Sequence, residues 1–108
     1  MVYHLRNWKF LRDWFATAPP RYNVSTIASI LNELQLPVGD KYIIEDIVKS
    51  CGKAISQEGF EACLITGRED ISPAFRGPGF NEKFEEFLRK LDEKAGEMKK
   101  TFYEEHKL

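Results

Sequence analysis

The chain has 108 residues and a mass of 12.6 kDa, a length that fits one domain. Its residues are 43% hydrophobic, 13% aromatic and 31% charged, a globular composition that excludes the disordered and collagen-like classes. The formal net charge is −1, from 16 basic and 17 acidic side chains, so the chain lacks the basic excess of a protein that binds a polyphosphate such as nucleic acid.

The cysteines and the apolar runs indicate a reduced compartment. Cys51 and Cys63 are too few for a disulfide scaffold, and both stand among apolar residues, so we expect buried free thiols. No run approaches the roughly 18 to 20 apolar residues of a membrane span. Residues 1–9 contain no uninterrupted apolar segment typical of a signal peptide. We therefore expect an intracellular, cytoplasmic protein with no membrane partner.

Helical periodicity predicts two helices in the first third of the chain. Apolar residues recur at helical spacing over residues 5–15, and the pair Pro19 and Pro20 ends that helix. A second helix is expected to begin near Asn23 or Ser25, either of which can cap it. Its buried face would be formed by Ile27, Ile30, Leu31 and Leu34, before a break at Pro37 and Gly39.

Two further helices are predicted in the middle of the chain. Asp40 can cap the third helix and Gly52 can end it, with an apolar stripe of Ile43, Ile44, Ile47, Val48 and Cys51. Residues 53–55 read as a short extended piece, and Ser56 then caps a fourth helix that carries Phe60, Cys63 and Leu64.

The remaining chain predicts a loop followed by a long amphipathic helix. Glycine and proline are frequent in residues 68–80, which we expect to form a loop. The helix of residues 81–108 carries one apolar stripe, formed by Phe84, Phe87, Leu88, Leu91, Ala95, Met98 and Phe102. The predicted fold class is all-α, with a four-helix lobe over residues 1–67 and the C-terminal helix within one compact domain.

No motif in the sequence predicts catalysis. His4 and His106 lie at opposite ends of the chain, and the two cysteines are twelve residues apart, which does not resemble a zinc site. Neither a Walker loop nor a dinucleotide-binding fingerprint is present. We therefore expect no enzyme activity, no metal and no cofactor.

Residues 5–66 carry the spacing of a paired helical motif. Helical residues 43–51 run into a glycine turn, then Ile55, a capping serine, and Phe60 five residues after the isoleucine. Tyr22 and Ile27 repeat that interval in the preceding segment. This arrangement resembles a degenerate EF-hand lobe of the calmodulin and myosin light chain type. The resemblance implies a short β-bridge between Tyr22 and Ile55, and we expect both Ile55 and Phe60 to be buried.

The departures of this sequence from the EF-hand pattern predict that such a lobe binds no calcium. A calcium loop has about twelve residues, with oxygen ligands and a closing glutamate. Too few residues separate Val48 from Ile55 for that loop, Lys53 adds a positive charge, and Gly59 stands at the position of the closing glutamate. In the first hand, residues 16–21 contain no carboxylate.

Three functional interpretations remain open on the sequence. The first is a calcium-independent adaptor that binds an amphipathic helix, with either a partner's helix or the chain's own C-terminal helix in its groove. The second is a helix-turn-helix DNA-binding protein, although nucleic acid is disfavoured by the acidic residues of the third helix. The third is a small all-α inhibitor or adaptor of unrelated origin, a viral one included. Self-association is a further possibility for the C-terminal helix.

The residues predicted to bind a partner are Ile27, Ile30, Leu31, Leu34, Ile44, Ile47, Val48, Phe84, Phe87 and Leu91.

Overall fold

The computed structural model describes residues 4–71 and 79–105; the side chains of residues 68–71, 80, 81 and 102–105 lie outside the description, as does the predicted stripe residue Phe102. The helices are α1 (Trp8–Thr17), α2 (Pro20–Glu33), α3 (Lys41–Cys51), α4 (Gln57–Ile71) and α5 (Phe80–Glu105). Over these residues the chain forms no strand, which confirms the all-α prediction.

The capping predictions are confirmed for the two middle helices. The Asp40 carboxylate accepts a hydrogen bond from the Tyr42 N–H at 2.8 Å, and α3 ends at its C-cap Gly52. The Ser56 hydroxyl accepts a hydrogen bond from the Gly59 N–H at 3.0 Å at the start of α4. In both cases a side-chain oxygen satisfies a backbone donor that has no partner within the helix.

The predicted start of α2 is wrong by several residues. The helix begins at Pro20, so that Asn23 and Ser25 lie inside it. Proline suits the first position of a helix because its fixed φ is already helical and no hydrogen-bond donor is lost there.

The end of α2 also precedes the predicted break. Gln35 takes a left-handed φ of 58°, and the Leu36 N–H donates to the Leu31 carbonyl at 2.8 Å. The Gln35 N–H donates to the Asn32 carbonyl at 3.0 Å, which completes a Schellman motif. The helix therefore closes before the proline is reached.

The fourth helix extends into the stretch predicted to be a loop. It continues to Ile71, whereas we expected the loop to begin at residue 68. The first proline after α4 is Pro73, and proline restricts only the residue before it, so the helix can run this far.

Neither Tyr22 nor Ile55 takes the position that the EF-hand resemblance implies. Tyr22 lies in the first turn of α2 and donates its N–H to the Pro19 carbonyl at 2.9 Å. Ile55 is 93% exposed in the turn before α4 and is not part of a strand. The predictions of a bridge and of a buried Ile55 are wrong, because α2 begins early and a tight turn after α3 directs Ile55 outward. The prediction of a buried Phe60 is confirmed.

The C-terminal helix is part of the core. It packs against α1 and α2, while α3 contacts α4, α2 and α1. The buried residues of its predicted stripe are Phe84, Phe87, Leu88, Leu91 and Ala95, and Met98 is partly buried. The chain's own helix therefore covers the α2 part of the apolar face that the sequence left open to either occupant, while the α3 part packs against α4, α2 and α1.

Two buried carboxylates hold the segment before α1. Asp92 of α5 accepts the backbone N–H groups of Arg6 and Asn7 at 3.1 and 3.0 Å, next to the N-terminus of α1. Glu61 of α4 accepts the Leu5 N–H at 2.7 Å, and its other oxygen lies 3.1 Å from His4 Nδ1. These bonds join α1, α4 and α5 and place a negative charge where the helix dipole favours it.

Among the residues that the structure describes, Asn23 is buried without a polar partner for its side chain. Asn23 is fully buried in α2, and neither its amide oxygen nor its amide nitrogen makes a hydrogen bond. Burial of an unbonded amide costs free energy. The substitution Asn23→Leu, of similar shape, is therefore expected to raise the free energy of unfolding by about 1 to 3 kcal/mol, measured by urea denaturation.

The control is Asn32→Leu, on the exposed face of the same helix. It should change the free energy of unfolding by less than about 0.5 kcal/mol, as is usual for surface positions. A lower denaturation midpoint for Asn23→Leu would show that the amide has a stabilising partner after all.

Candidate functional site

Most of the residues predicted to bind a partner lie in the core. Eight of the ten are at most 3% exposed: Ile27, Ile30, Leu31, Ile44, Val48, Phe84, Phe87 and Leu91. Leu34 and Ile47 are partly buried against the same core. A side chain without accessible surface cannot touch a second molecule in the folded state, so these eight positions are corrected from contact residues to core residues. Their helical spacing predicted that this face is buried, but it did not predict which helix packs against it.

An open groove lies instead between α3 and α4. It has a volume of about 590 Å³ and is lined by Ile43, Asp46, Ile47, Ser50, Gly59, Ala62, Cys63, Thr66 and Gly67. Of the ten predicted residues, Ile47 alone is in this lining. Ile43, which the sequence placed on a buried stripe, is 38% exposed. We refer to these nine residues as the α3–α4 groove.

The groove owes its shape to a row of small residues on α4. Gly59, Ala62, Cys63, Thr66 and Gly67 recur at intervals of three and four residues, which places them on one face of the helix. A Cβ atom on Gly67 would lie 3.0 Å from the Ile47 side chain, so the α4 backbone approaches α3 closely there. The α4 wall of the groove is thus formed by short side chains, and the α3 wall carries the two isoleucines.

Among the lining residues that the structure describes, one is charged, and it is acidic. Asp46 is exposed on α3, and no cation lies within ion-pair distance of it among the residues that the structure describes. The neighbouring Lys49 is engaged by Glu45, with 3.1 Å between Nζ and Oε1. A positively charged ligand group would therefore find an available carboxylate at this wall.

A second, smaller cavity lies beside the groove. It has a volume of about 330 Å³ between the first halves of α2 and α3, with Tyr42, Arg21 and Val24 in its lining. Tyr42 is 79% exposed, and the Arg21 guanidinium lies 5.1 Å from the centre of the Tyr22 ring. The exposed apolar surface of α3 thus extends from Ile43 toward α2.

The two buried carboxylates have a structural role. Glu61 and Asp92 each accept backbone N–H groups of residues 5–7, which accounts for their burial as anchors of the segment before α1. Within the described part of the chain, no group of three or more His, Cys, Asp and Glu side chains is arranged to hold a metal ion.

Comparisons with protein-family models, curated proteins and solved structures gave no match to this chain. None of the helices, over the residues described, is both long and apolar enough to cross a membrane.

Sequence reasoning missed the α4 half of the groove. The interval pattern of Gly59, Ala62, Thr66 and Gly67 was available in the sequence, but it has little hydrophobic contrast. A search for apolar stripes passes over a face made of small residues, although such a face permits the close approach of another helix.

Proposed function

We propose that this protein is a non-catalytic adaptor whose α3–α4 groove binds an amphipathic helix that carries a lysine or arginine beside its apolar stripe. The observation that carries the proposal is an open groove with two isoleucines, a wall of small residues and one available carboxylate. The absent bridge between Tyr22 and Ile55 favours an all-α adaptor of unrelated architecture over an EF-hand lobe.

The dimensions of the groove suit a helix. Its lining spans residues 43–50 on α3 and 59–67 on α4, which corresponds to about two helical turns on each wall. Two turns accommodate the i, i+3 or i+4, and i+7 anchors of a helix bound in a groove. The small side chains of α4 allow the axis of such a helix to come close, since the distance between packed helices depends on the residues at the contact.

The proposed occupant is a second molecule. Within the described part of the chain, the amphipathic helix α5 places Phe84, Phe87 and Leu91 in the core, so these side chains are not available to the groove. Asp46 then selects among partner helices, since an acidic wall attracts a basic flank and repels an acidic one.

Binding of two synthetic helical peptides tests this proposal. Both have leucines at i, i+3 and i+7 over about four turns; one is flanked by lysines and the other by glutamates. We expect the lysine peptide to bind with a micromolar Kd by isothermal titration calorimetry at low salt, and the glutamate peptide to bind at least tenfold more weakly. The substitution Ala62→Arg, at an exposed position of the groove, should abolish binding because it fills the space above α4.

Two matched variants separate the groove from general surface effects. Ala16→Arg on the exposed face of α1 should leave the affinity unchanged. Asp46→Lys should lower the affinity for the lysine-flanked peptide by about threefold to tenfold, while Asp13→Lys on α1 should leave that affinity unchanged. Equal affinity for both peptides would contradict the charge selection. If the protein dimerises as its concentration rises, and Ala62→Arg abolishes the dimer, then the groove is occupied by a second copy of this chain and not by a partner's helix.

A further inference from the structure

The cavity between α2 and α3 is lined by two cations that have no anionic partner in the described part of the chain. Arg21 of α2 and Lys41 of α3 both line it, and both are exposed. Among the residues that the structure describes, no carboxylate lies within ion-pair distance of either side chain. The cavity therefore offers two accessible positive charges to a negative group of a second molecule.

The carboxylates nearest to Lys41 along α3 are engaged by other groups. Glu45 also lines the cavity, but its Oε1 lies 3.1 Å from Lys49 Nζ. The Asp40 carboxylate caps α3 and accepts the Tyr42 N–H at 2.8 Å. Both carboxylates lie within about one helical turn of Lys41 in the sequence. They would repel a polyanion such as nucleic acid, whereas a single carboxylate can contact the two cations alone.

Arg21 is stacked on an aromatic ring, and its donors are available. Its guanidinium carbon lies 5.1 Å from the centre of the Tyr22 ring. The Arg12 guanidinium is placed in the same way over a tryptophan ring, but it donates hydrogen bonds to Asp13 and to the Ala54 carbonyl. Arg21 makes no such bond among the described residues. Stacking restrains the planar guanidinium and leaves its N–H edge for a carboxylate, which it can bind through two parallel hydrogen bonds.

The surface around this cavity carries exposed aromatic rings. Tyr42 lines the cavity and is 79% exposed, and Tyr22, under the Arg21 guanidinium, is 54% exposed. The Ser25 hydroxyl in the lining is a further hydrogen-bond donor. Tyrosine and arginine are enriched where proteins bind one another. Because the exposed rings extend the surface beyond the cavity of about 330 Å³, it suits a peptide segment that passes over the cavity better than a small free acid.

We propose that this cavity is a second binding site, at which Arg21 and Lys41 together hold the carboxylate of a glutamate or aspartate in an extended segment of a partner protein. The two tyrosines contact the residues on either side of that acidic residue. The site does not rest on the helix-binding function proposed above, because it shares no lining residue with the α3–α4 groove. The two sites select opposite charges, since the charged residue of the groove is Asp46.

Nuclear magnetic resonance of the full chain, titrated with a short peptide blocked at both ends, tests this site. The peptide has a glutamate at its centre, after a leucine and before a proline, so that it stays extended. We expect a Kd of about 0.1 to 1 mM at low salt, since each exposed charge pair contributes little free energy. The amides of residues 21–25 and 41–45 should shift. The same peptide with glutamine in place of glutamate should bind about fivefold more weakly.

Substitutions at exposed positions show where the carboxylate binds. Arg21→Gln and Lys41→Gln should each lower the affinity for the glutamate peptide about threefold, whereas Arg6→Gln, before α1, should leave it unchanged. The double variant Arg21→Glu and Lys41→Glu should instead prefer a peptide with lysine in place of glutamate.

Two results would overturn the site: equal affinity for the glutamate and glutamine peptides, or unchanged affinity in both single variants. Two others would overturn the peptide as its ligand. These are acetate that binds as tightly as the glutamate peptide, and an oligothymidylate that binds the same residues more tightly than the peptide does.

Discussion

The substitution Phe87→Asp is expected to unfold the protein at room temperature. Phe87 is fully buried on α5, where its ring stacks on Phe84 at a centroid distance of 5.9 Å. Loss of a core aromatic ring costs about 3 to 5 kcal/mol. An unpaired buried carboxylate adds a cost of several kcal/mol, and the sum approaches the whole stability of a typical domain, about 5 to 15 kcal/mol. Circular dichroism and urea denaturation measure the effect.

The neighbouring residue supplies the control. Glu86→Asp introduces the same side chain at an exposed position of α5 and should shift the free energy of unfolding by less than about 1 kcal/mol. A chain that ends at Gly79 should likewise fail to fold, because α5 contributes one side of the core. A folded Phe87→Asp variant with an unchanged denaturation midpoint would mean that α5 is not needed for the core, and the stripe of Ile27 and Ile30 on α2 would again be available to a partner.

The substitution Phe60→Ala is expected to lower the free energy of unfolding by about 3 to 5 kcal/mol. Phe60 has no accessible surface, and its ring centroid lies 5.6 Å from that of Phe15, so it joins α4 to α1 at the centre of the core. Urea denaturation followed by tryptophan fluorescence measures the loss.

The control for Phe60 lies five residues earlier in the chain. Ile55→Ala removes an equally apolar side chain from a position that is 93% exposed, and it should change the free energy of unfolding by less than about 0.5 kcal/mol. Similar losses for the two variants would mean that Ile55 is buried as the EF-hand resemblance implied. A decrease of less than about 1 kcal/mol in the free energy of unfolding of Phe60→Ala would mean that Phe60 is not part of the core.

The helices could be predicted from local sequence signals, and the errors in their predicted ends also have local causes. Asp40 and Ser56 cap the helices that they precede, because a side-chain acceptor next to an apolar stripe is a short-range pattern. The start of α2 was missed because Pro20 was interpreted only as the end of the preceding helix. A proline pair both ends one helix and begins the next when the second proline takes the first helical position.

The candidate site was harder to predict because it depends on which elements meet. The periodicity of Ile27 and Ile30 indicates that these residues are buried, but whether α5 or a partner helix buries them depends on the tertiary structure. The prediction of buried thiols holds for Cys51, whereas Cys63 is partly exposed in the groove.

The central claim is that the α3–α4 groove, and no other surface, receives a helix. The most direct measurement is nuclear magnetic resonance of the isotope-labelled full chain, titrated with the lysine-flanked peptide. We expect chemical-shift changes confined to the amides of residues 43–50 and 59–67, with the amides of α1 and α5 unchanged. Shifts centred on α5, shifts centred on the cavity beside Tyr42, or no shifts at millimolar peptide would contradict it.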